Sequence, residues 1–236
     1  MQKKNVVITG ATKGIGRAIA EKFAAEGYHI LACARTEKDL LEVQSDFAIR
    51  FPGVSVKVRV TDVSDIRQVQ DFAKWVTASG VTTDILVNNA GYFIPGKIIS
   101  EEEGMLQKMM EVNLFSCYHL IRDLLPAMIE RKQGHIFNIC SIASFKPLPD
   151  VGSYGISKFA LLGLTRHLRE ELKPHGIKVT AVSPGATWTS SWEGADVDPK
   201  RLMDVNDVAK MVFASSQLSP SSVVEDIVMR PQSGDL

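Results

Sequence analysis

The stretch Asn5-Val6-Val7-Ile8-Thr9-Gly10-Ala11-Thr12-Lys13-Gly14-Ile15-Gly16, followed by "RAIAEKFAAEGY" to residue 28, decides the fold. Its first part is a short run of β-branched residues and reads as a strand buried on both faces. Its last part carries apolar residues at helical spacing. Between them stand Gly10, Gly14 and Gly16, spaced G-x-x-x-G-x-G rather than the better-known G-x-G-x-x-G. Glycine lets backbone approach a phosphate closely, and the helix N-terminus behind it offers free N–H groups and partial positive charge. Such glycines also suit an ordinary tight turn. Their position directly after the first strand favours the phosphate reading.

The rest of the chain repeats this unit. Short Val- and Ile-rich runs recur at 5–9, 29–34, 54–60, 84–88, 135–140, 177–183 and 225–230. Amphipathic helical stretches lie between most of them, at 14–26, 36–50, 65–79, 101–131, 153–174 and 204–216. Thr36 and Ser64 are candidate N-caps, and Ser100-Glu101-Glu102-Glu103 reads as a capping box. This alternation predicts an α/β, single-domain, doubly wound parallel β-sheet with helices on both faces, the Rossmann fold, over residues 1–236. Ligands of such sheets bind at the carboxyl ends of the strands.

Composition excludes several classes. Lysine plus arginine and aspartate plus glutamate balance at 27 each, so no bulk charge draws nucleic acid or a membrane surface. Cys33, Cys117 and Cys140 are too few for a disulfide framework and show no zinc spacing, and no metal site is expected. The N-terminal apolar run is too short for a signal peptide, and no run reaches the ~18 apolar residues of a membrane span. A cytoplasmic location is expected.

The segment Ser153-Tyr154-Gly155-Ile156-Ser157-Lys158 places a tyrosine one helical turn before a lysine. Positions i and i+4 share a helix face, and a fixed ammonium favours an ionised phenol. Alone, the pair reads either as an acid/base catalyst or as a chance surface pairing. It does not stand alone. Together with the glycine loop, Asn88-Asn89-Ala90-Gly91, Asn113, Ser141 and Pro184-Gly185 resemble the short-chain dehydrogenase/reductase family in order and separation, from about residue 5 to the end. Ser141 lies thirteen positions before Tyr154, as in that family.

The resemblance implies a set of roles. Tyr154 is the acid that protonates a carbonyl oxygen, and Ser141 donates to that oxygen. Lys158 also grips the nicotinamide ribose, and Asn113 holds a water that reloads the proton. The cofactor set comprises Gly10, Thr12, Lys13, Gly14, Ile15, Gly16, Arg35, Asp62, Val63, Asn89, Ala90, Gly91, Tyr154, Lys158, Pro184, Gly185 and Thr187. Ser141 could also be a strand-end cap, and Asp62 either contacts adenine or caps the helix near 65. Thr187 and Thr189 are both candidates for the nicotinamide carboxamide, with Thr187 the better placed. The cofactor is expected to be NADP(H), with NADPH preferred. Arg35 stands where an NAD enzyme commonly places an acid, and Lys13 adds a second cation. Glu37 is read as a first-turn helix acid.

Three segments should surround the substrate: 92–100, 142–152 and a lid at about 186–203. Their aromatic residues, among them Phe145, Trp188 and Trp192, suit a flat or apolar small-molecule carbonyl. They could instead simply pack the lid. "PGATWTSSW" and the short tail look similar to bacterial sepiapterin reductase-like members, which suggests a pterin diketone. Alternatives are a 3-oxoacyl-(acyl-carrier-protein) reductase, a broad aldehyde/ketone reductase, or a non-catalytic NADP-binding regulator. Family members usually pair the equivalents of helices 101–131 and 153–174 across a two-fold axis, so a homodimer or homotetramer is expected. Phe115, Leu120, Leu124, Leu161, Leu164 and Leu168 supply more apolar surface than one face needs.

Overall fold

The computed structural model describes residues 3–189, 192 and 196–235. Seven strands form one parallel sheet in the order β3-β2-β1-β4-β5-β6-β7. They are β1 (Asn5–Thr9), β2 (His29–Ala34), β3 (Val56–Val60), β4 (Ile85–Asn88), β5 (Gly134–Ile139), β6 (Ile177–Pro184) and β7 (Asp226–Met229). The helices are α1 (Gly14–Ala25), α2 (Glu37–Arg50), α3 (Ile66–Ala78), α4 (Met105–Met110), α5 (Ser116–Arg131), α6 (Gly152–Leu172) and α7 (Val205–Ser216). The order reverses between β1 and β4, which opens a crevice at their carboxyl ends.

The period-2 pleat divides each central strand between two cores. Val7, Leu31, Leu86, Ile136 and Val179 face α3, α5 and α6. Val6, Ile8, Ile30, Val87 and Phe137 face α1, α2 and α7. Phe23, Phe47, Phe72 and Phe137 are fully buried, each contributing roughly 1.5–3 kcal/mol of transfer free energy. One polar ladder crosses the first core. Asn88 Nδ2 donates to Asn138 Oδ1 at 2.8 Å, and Asn138 Nδ2 donates to Thr165 Oγ1 at 2.9 Å. Buried polar groups need such partners, so this ladder fixes α6 against β4 and β5.

Several expected details differ. The single helix at 101–131 is three pieces: α4, a π-helical turn over Glu111–Phe115, and α5. The Ser100 capping box does not form. α4 starts after Gly104, which has φ +83° and no side chain to cap with. Asp65, not Ser64, caps α3 by accepting from Arg67 N–H, while Thr36 occupies the N-cap of α2 without a side-chain bond. Of the apolar residues in doubt, Leu120, Leu124, Leu161 and Leu168 are buried, Leu164 packs on the same core, and Phe115 is exposed. Among the described residues no helix is long and apolar enough to cross a membrane.

Candidate active site

The glycine loop is built by close packing. Gly10 and Gly14 have φ of +67° and +53°, a region that disfavours other residues. A Cβ on Gly16 would lie 2.2 Å from Asn89 Nδ2 and 2.3 Å from the Gly10 carbonyl oxygen, so only hydrogen fits. Asn89 Nδ2 donates to the carbonyls of both Thr9 and Gly10 at 3.0 Å, and Thr9 Oγ1 accepts from the N–H groups of Asn89 and Ala90. The Asn88–Gly91 segment thus braces the loop from the neighbouring strand. α1 has no side-chain cap and no acid in its first turn, which leaves its N-terminal N–H groups for an anion. Thr12, Gly14 and Ile15 are half-buried along this loop. These features fit a dinucleotide pyrophosphate.

Arg35 follows β2 and is exposed, with no ion pair or hydrogen bond among the described residues. Lys13 pairs with Asp39 of α2 at 3.2 Å. Glu37 is the first residue of α2, as read from the sequence. Asp62 neither caps α3 nor stands free: its Oδ1 accepts from Ser64 N–H and O–H at 3.0 and 2.8 Å, while Val63 joins the core.

Tyr154 and Lys158 come together as expected. Lys158 Nζ lies 5.7 Å from the Tyr154 ring centroid and donates to the Ile139 carbonyl at 2.8 Å. The lysine is only 4% exposed and has no carboxylate partner among the described residues. A buried ammonium without a carboxylate partner is costly to hold. The Tyr154 hydroxyl has no hydrogen-bond partner among the described residues, and the ring meets Phe93 edge-on at 4.8 Å.

Asn113 sits in the π turn and is fully buried. Its Oδ1 accepts from Tyr92 N–H at 2.7 Å. Its Nδ2 donates to the Tyr92 carbonyl at 3.0 Å and to Ser157 Oγ at 2.9 Å. The amide is therefore fully used as a brace between the Tyr92 loop and α6. A Cβ on Gly91 would lie 3.5 Å from Asn113 Oδ1 and 3.9 Å from Lys158 Nζ, at ordinary contact distance, so this glycine lies beside both groups. Ser141 is indeed a cap: its Oγ accepts from Ala143 N–H at 3.1 Å at the start of a 3-10 turn packed on α6. That bond uses an oxygen lone pair and leaves the O–H proton to donate elsewhere.

The segments expected to surround the substrate are described in part. Phe93, Phe145 and Trp188 are all exposed there, and Trp192 is half-buried. Thr187 is buried and donates to the Gly185 carbonyl at 2.9 Å, within its own turn, while Thr189 lies against Gly14. Gly185, after Pro184 at the end of β6, donates to Met229 at 2.8 Å. Residues 190, 191 and 193–195 of the expected lid, Glu193 included, lie outside the described residues. A tie unseen in the sequence joins the lid to the tail, where Arg201 Nε donates to Ser233 Oγ at 2.9 Å; Lys146 of segment 142–152 also pairs with the tail, at Asp235, at 3.7 Å. Burial pushes the Cys33 and Cys140 thiols up to about 12 and about 11, which keeps them protonated.

Residues 4–199 match the model of the short chain dehydrogenase family. The chain is 32% identical over 233 residues to an uncharacterized oxidoreductase of Staphylococcus epidermidis, covering 98% of both chains. It is also 32% identical to a sepiapterin reductase of Chlorobaculum tepidum, covering 99% of this chain and 98% of that one. A metagenomic short-chain oxidoreductase solved in complex with NADP superposes with a TM-score of 0.85, at 31% identity and 97% coverage of each chain. The chain belongs to the short-chain dehydrogenase family and is an oxidoreductase of that type.

Proposed function

We propose that the protein is an NADP(H)-dependent reductase of a small, flat or apolar carbonyl, with a pterin diketone as the leading substrate. The observation that carries this reading is Lys158, buried and without a carboxylate partner among the described residues, beside a tyrosine whose hydroxyl bonds to none of them. The relative that binds NADP and the sepiapterin reductase relative support cofactor and substrate respectively. When bound, the reduced nicotinamide supplies the hydride. The chain's own residues do the rest. Ser141 O–H holds the carbonyl oxygen, where negative charge develops. Tyr154 O–H delivers the proton to that oxygen, giving the alcohol. Lys158 stabilises the phenolate left behind and holds the cofactor ribose. Asn113 keeps the Tyr92 loop and α6 in register; a proton-reloading water would find the Asn113 carbonyl, which accepts from the Cys117 thiol at 3.6 Å. Segment 186–203 acts as the lid, and the aromatic mouth orients the substrate. The buried thiols suit a reducing compartment, the cytoplasm. A panel of sepiapterin-type diketones, 3-oxoacyl thioesters and simple ketones, each with NADPH and NADH, tests the assignment; no turnover of any carbonyl removes it.

NADPH is preferred because Arg35 is free to meet the 2′-phosphate, while Lys13 must first be drawn from Asp39. A charge-assisted bond contributes roughly 1.5–3 kcal/mol, about tenfold or more in affinity. Arg35→Ala is therefore expected to cut the NADPH/NADH ratio of kcat/KM about tenfold, mainly through KM for NADPH. An unchanged ratio would assign the discrimination to Glu37.

The exposed Phe115, Tyr118, Ile156 and Phe159 lie on and beside α5 and on α6, outside the core. These faces are the surface through which we expect the chain to form a homodimer or homotetramer. Sedimentation at micromolar concentration should show a species of at least twice 25.9 kDa; a monomer alone contradicts it.

A further inference from the structure

Glu101 was expected to start a helix and does not. Its carboxylate instead reaches Ser153, 52 positions away and the second residue of α6. One oxygen accepts from Ser153 N–H at 2.9 Å, and the other from Ser153 O–H. Ser153 is 3% exposed. The first N–H groups of a helix have no partner within it, and an anion there also meets the positive end of the helix dipole. Val151, at the N-cap, makes no side-chain bond, so the cap of α6 comes from another segment of the chain.

The two segments are fitted to each other along their length. Gly96 N–H donates to the Asp150 carbonyl at 2.8 Å, and Gly152 N–H to the Gly96 carbonyl at 2.9 Å. A Cβ on Gly152 would lie 2.5 Å from Ile98 Cγ1, and one on Gly96 would lie 2.8 Å from Glu101 Cγ. Asp150 holds φ +56°, a left-handed conformation uncommon for non-glycine residues though one that aspartate tolerates. The exposed Lys97–Asp150 pair at 3.7 Å adds little. The same mouth loop begins at Phe93, whose ring abuts Tyr154. Tyr154 therefore follows directly on a residue clamped by Glu101 and leans on the loop's other end.

We propose that Glu101 is a positioning residue for Tyr154: its carboxylate clasps the substrate-side loop 92–101 to the first turn of α6 and so fixes where the phenol hydroxyl stands. The proposal rests on the reading of Tyr154 as proton donor. Displacement of a reacting group by about 1 Å can cost on the order of 100-fold in rate. The clasp restrains only one turn, so Glu101→Ala is expected to lower kcat by about tenfold, with KM and the NADPH dissociation constant within about twofold. Glutamine can accept from Ser153 N–H through its oxygen and donate to Ser153 Oγ through its nitrogen. Glu101→Gln should thus recover kcat to within about threefold of the native value.

The experiment measures kcat, KM and NADPH affinity by fluorescence for Glu101→Ala, Glu101→Gln, Ser153→Ala and the Glu101→Ala/Ser153→Ala double variant, well below their melting temperatures. Amide hydrogen exchange over 150–156 provides a readout that needs no turnover, and should quicken in Glu101→Ala. The double variant should be no slower than Glu101→Ala, because that change alone already removes both bonds to Ser153. Native kcat in Glu101→Ala, or a glutamine variant as slow as the alanine one, overturns the proposal. If Glu101→Ala does not fold, Glu101→Met, which keeps side-chain bulk and removes both acceptor oxygens, takes its place, and native kcat with native exchange there overturns the proposal. Tyr154→Phe run beside them separates the two readings: its retention of turnover would remove the donor assignment itself, whereas a slow Tyr154→Phe beside a native-speed Glu101→Ala removes only the clasp.

Discussion

Tyr154→Phe should slow carbonyl reduction about 100-fold or more while leaving NADPH affinity nearly unchanged. The substitution deletes one oxygen and little else. The phenylalanine ring keeps the edge contact with Phe93 and its place before Lys158. Because the Tyr154 hydroxyl bonds to no described group, its loss orphans no buried donor or acceptor, and the melting temperature should hold. What remains is Ser141, which still polarises the carbonyl, and the bound hydride donor. Neither supplies a proton, so solvent must, and a positioned general acid is worth about 100- to 10,000-fold over that route. Lys158→Ala should be slow for a different reason: it removes the ammonium that stabilises the phenolate and holds the ribose, so KM for NADPH should rise with the fall in kcat. Single-turnover rates with saturating NADPH separate the two. A Tyr154→Phe protein that turns over at the native rate would falsify the assignment of the acid.

Much of this site was legible because its chemistry is local in sequence. Tyr154 and Lys158 are one turn apart, and the glycine loop is contiguous, so spacing alone places them. The sheet was legible for a related reason: strands buried on both faces leave uninterrupted apolar runs. What escaped depends on contacts between distant segments. The π turn at Glu111–Phe115 lies inside a continuous helical pattern, and no residue there announces the added residue. Ser100-Glu101 has the form of a capping box, but Ser153 captures the carboxylate from across the mouth. A helix start predicted from local spacing loses to a tertiary partner. Asp62 shows a different limit, since its bond to Ser64 is local, two positions on, and yet is not among the two roles its position suggests. His135 drew no notice, because a histidine opening a β-run has no neighbour in sequence that reveals its burial.

Acid should destabilise the protein through His135. This residue is 5% exposed on β5, its ring stacked on Phe137 at 3.9 Å between centroids. Thr180 O–H donates to the Val224 carbonyl at 2.6 Å, so Thr180 Oγ1 must accept the 2.8 Å bond from His135 Nε2. The ring is then neutral with its proton on Nε2, and Nδ1 is buried without a partner among the described residues. A second proton at Nδ1 would be a buried charge with no acceptor. Desolvation, and secondarily the charge of Lys178, lowers the His135 pKa from 6.5 to about 3. Above the unfolded value neither state is protonated and the residue contributes no pH dependence. Below it the unfolded chain takes up a proton that the folded chain refuses, so stability falls as pH falls, and levels off only near the folded value. The slope is about 1.4 kcal/mol per pH unit and the full loss approaches about 5 kcal/mol, comparable with the whole stability of many domains. Because His135 lies at the start of β5 and the catalytic groups follow the strand's other end, unfolding rather than inhibition should be the first response. His135→Gln keeps a donor for Thr180 and cannot titrate. Urea unfolding from about pH 7.5 to 4.5, at fixed protein concentration, should give the variant a flatter acid limb by close to one proton. Parallel limbs for the two proteins would sink the argument. So would a His135 ring resonance, followed directly by NMR in the native protein, that titrates near its ordinary value.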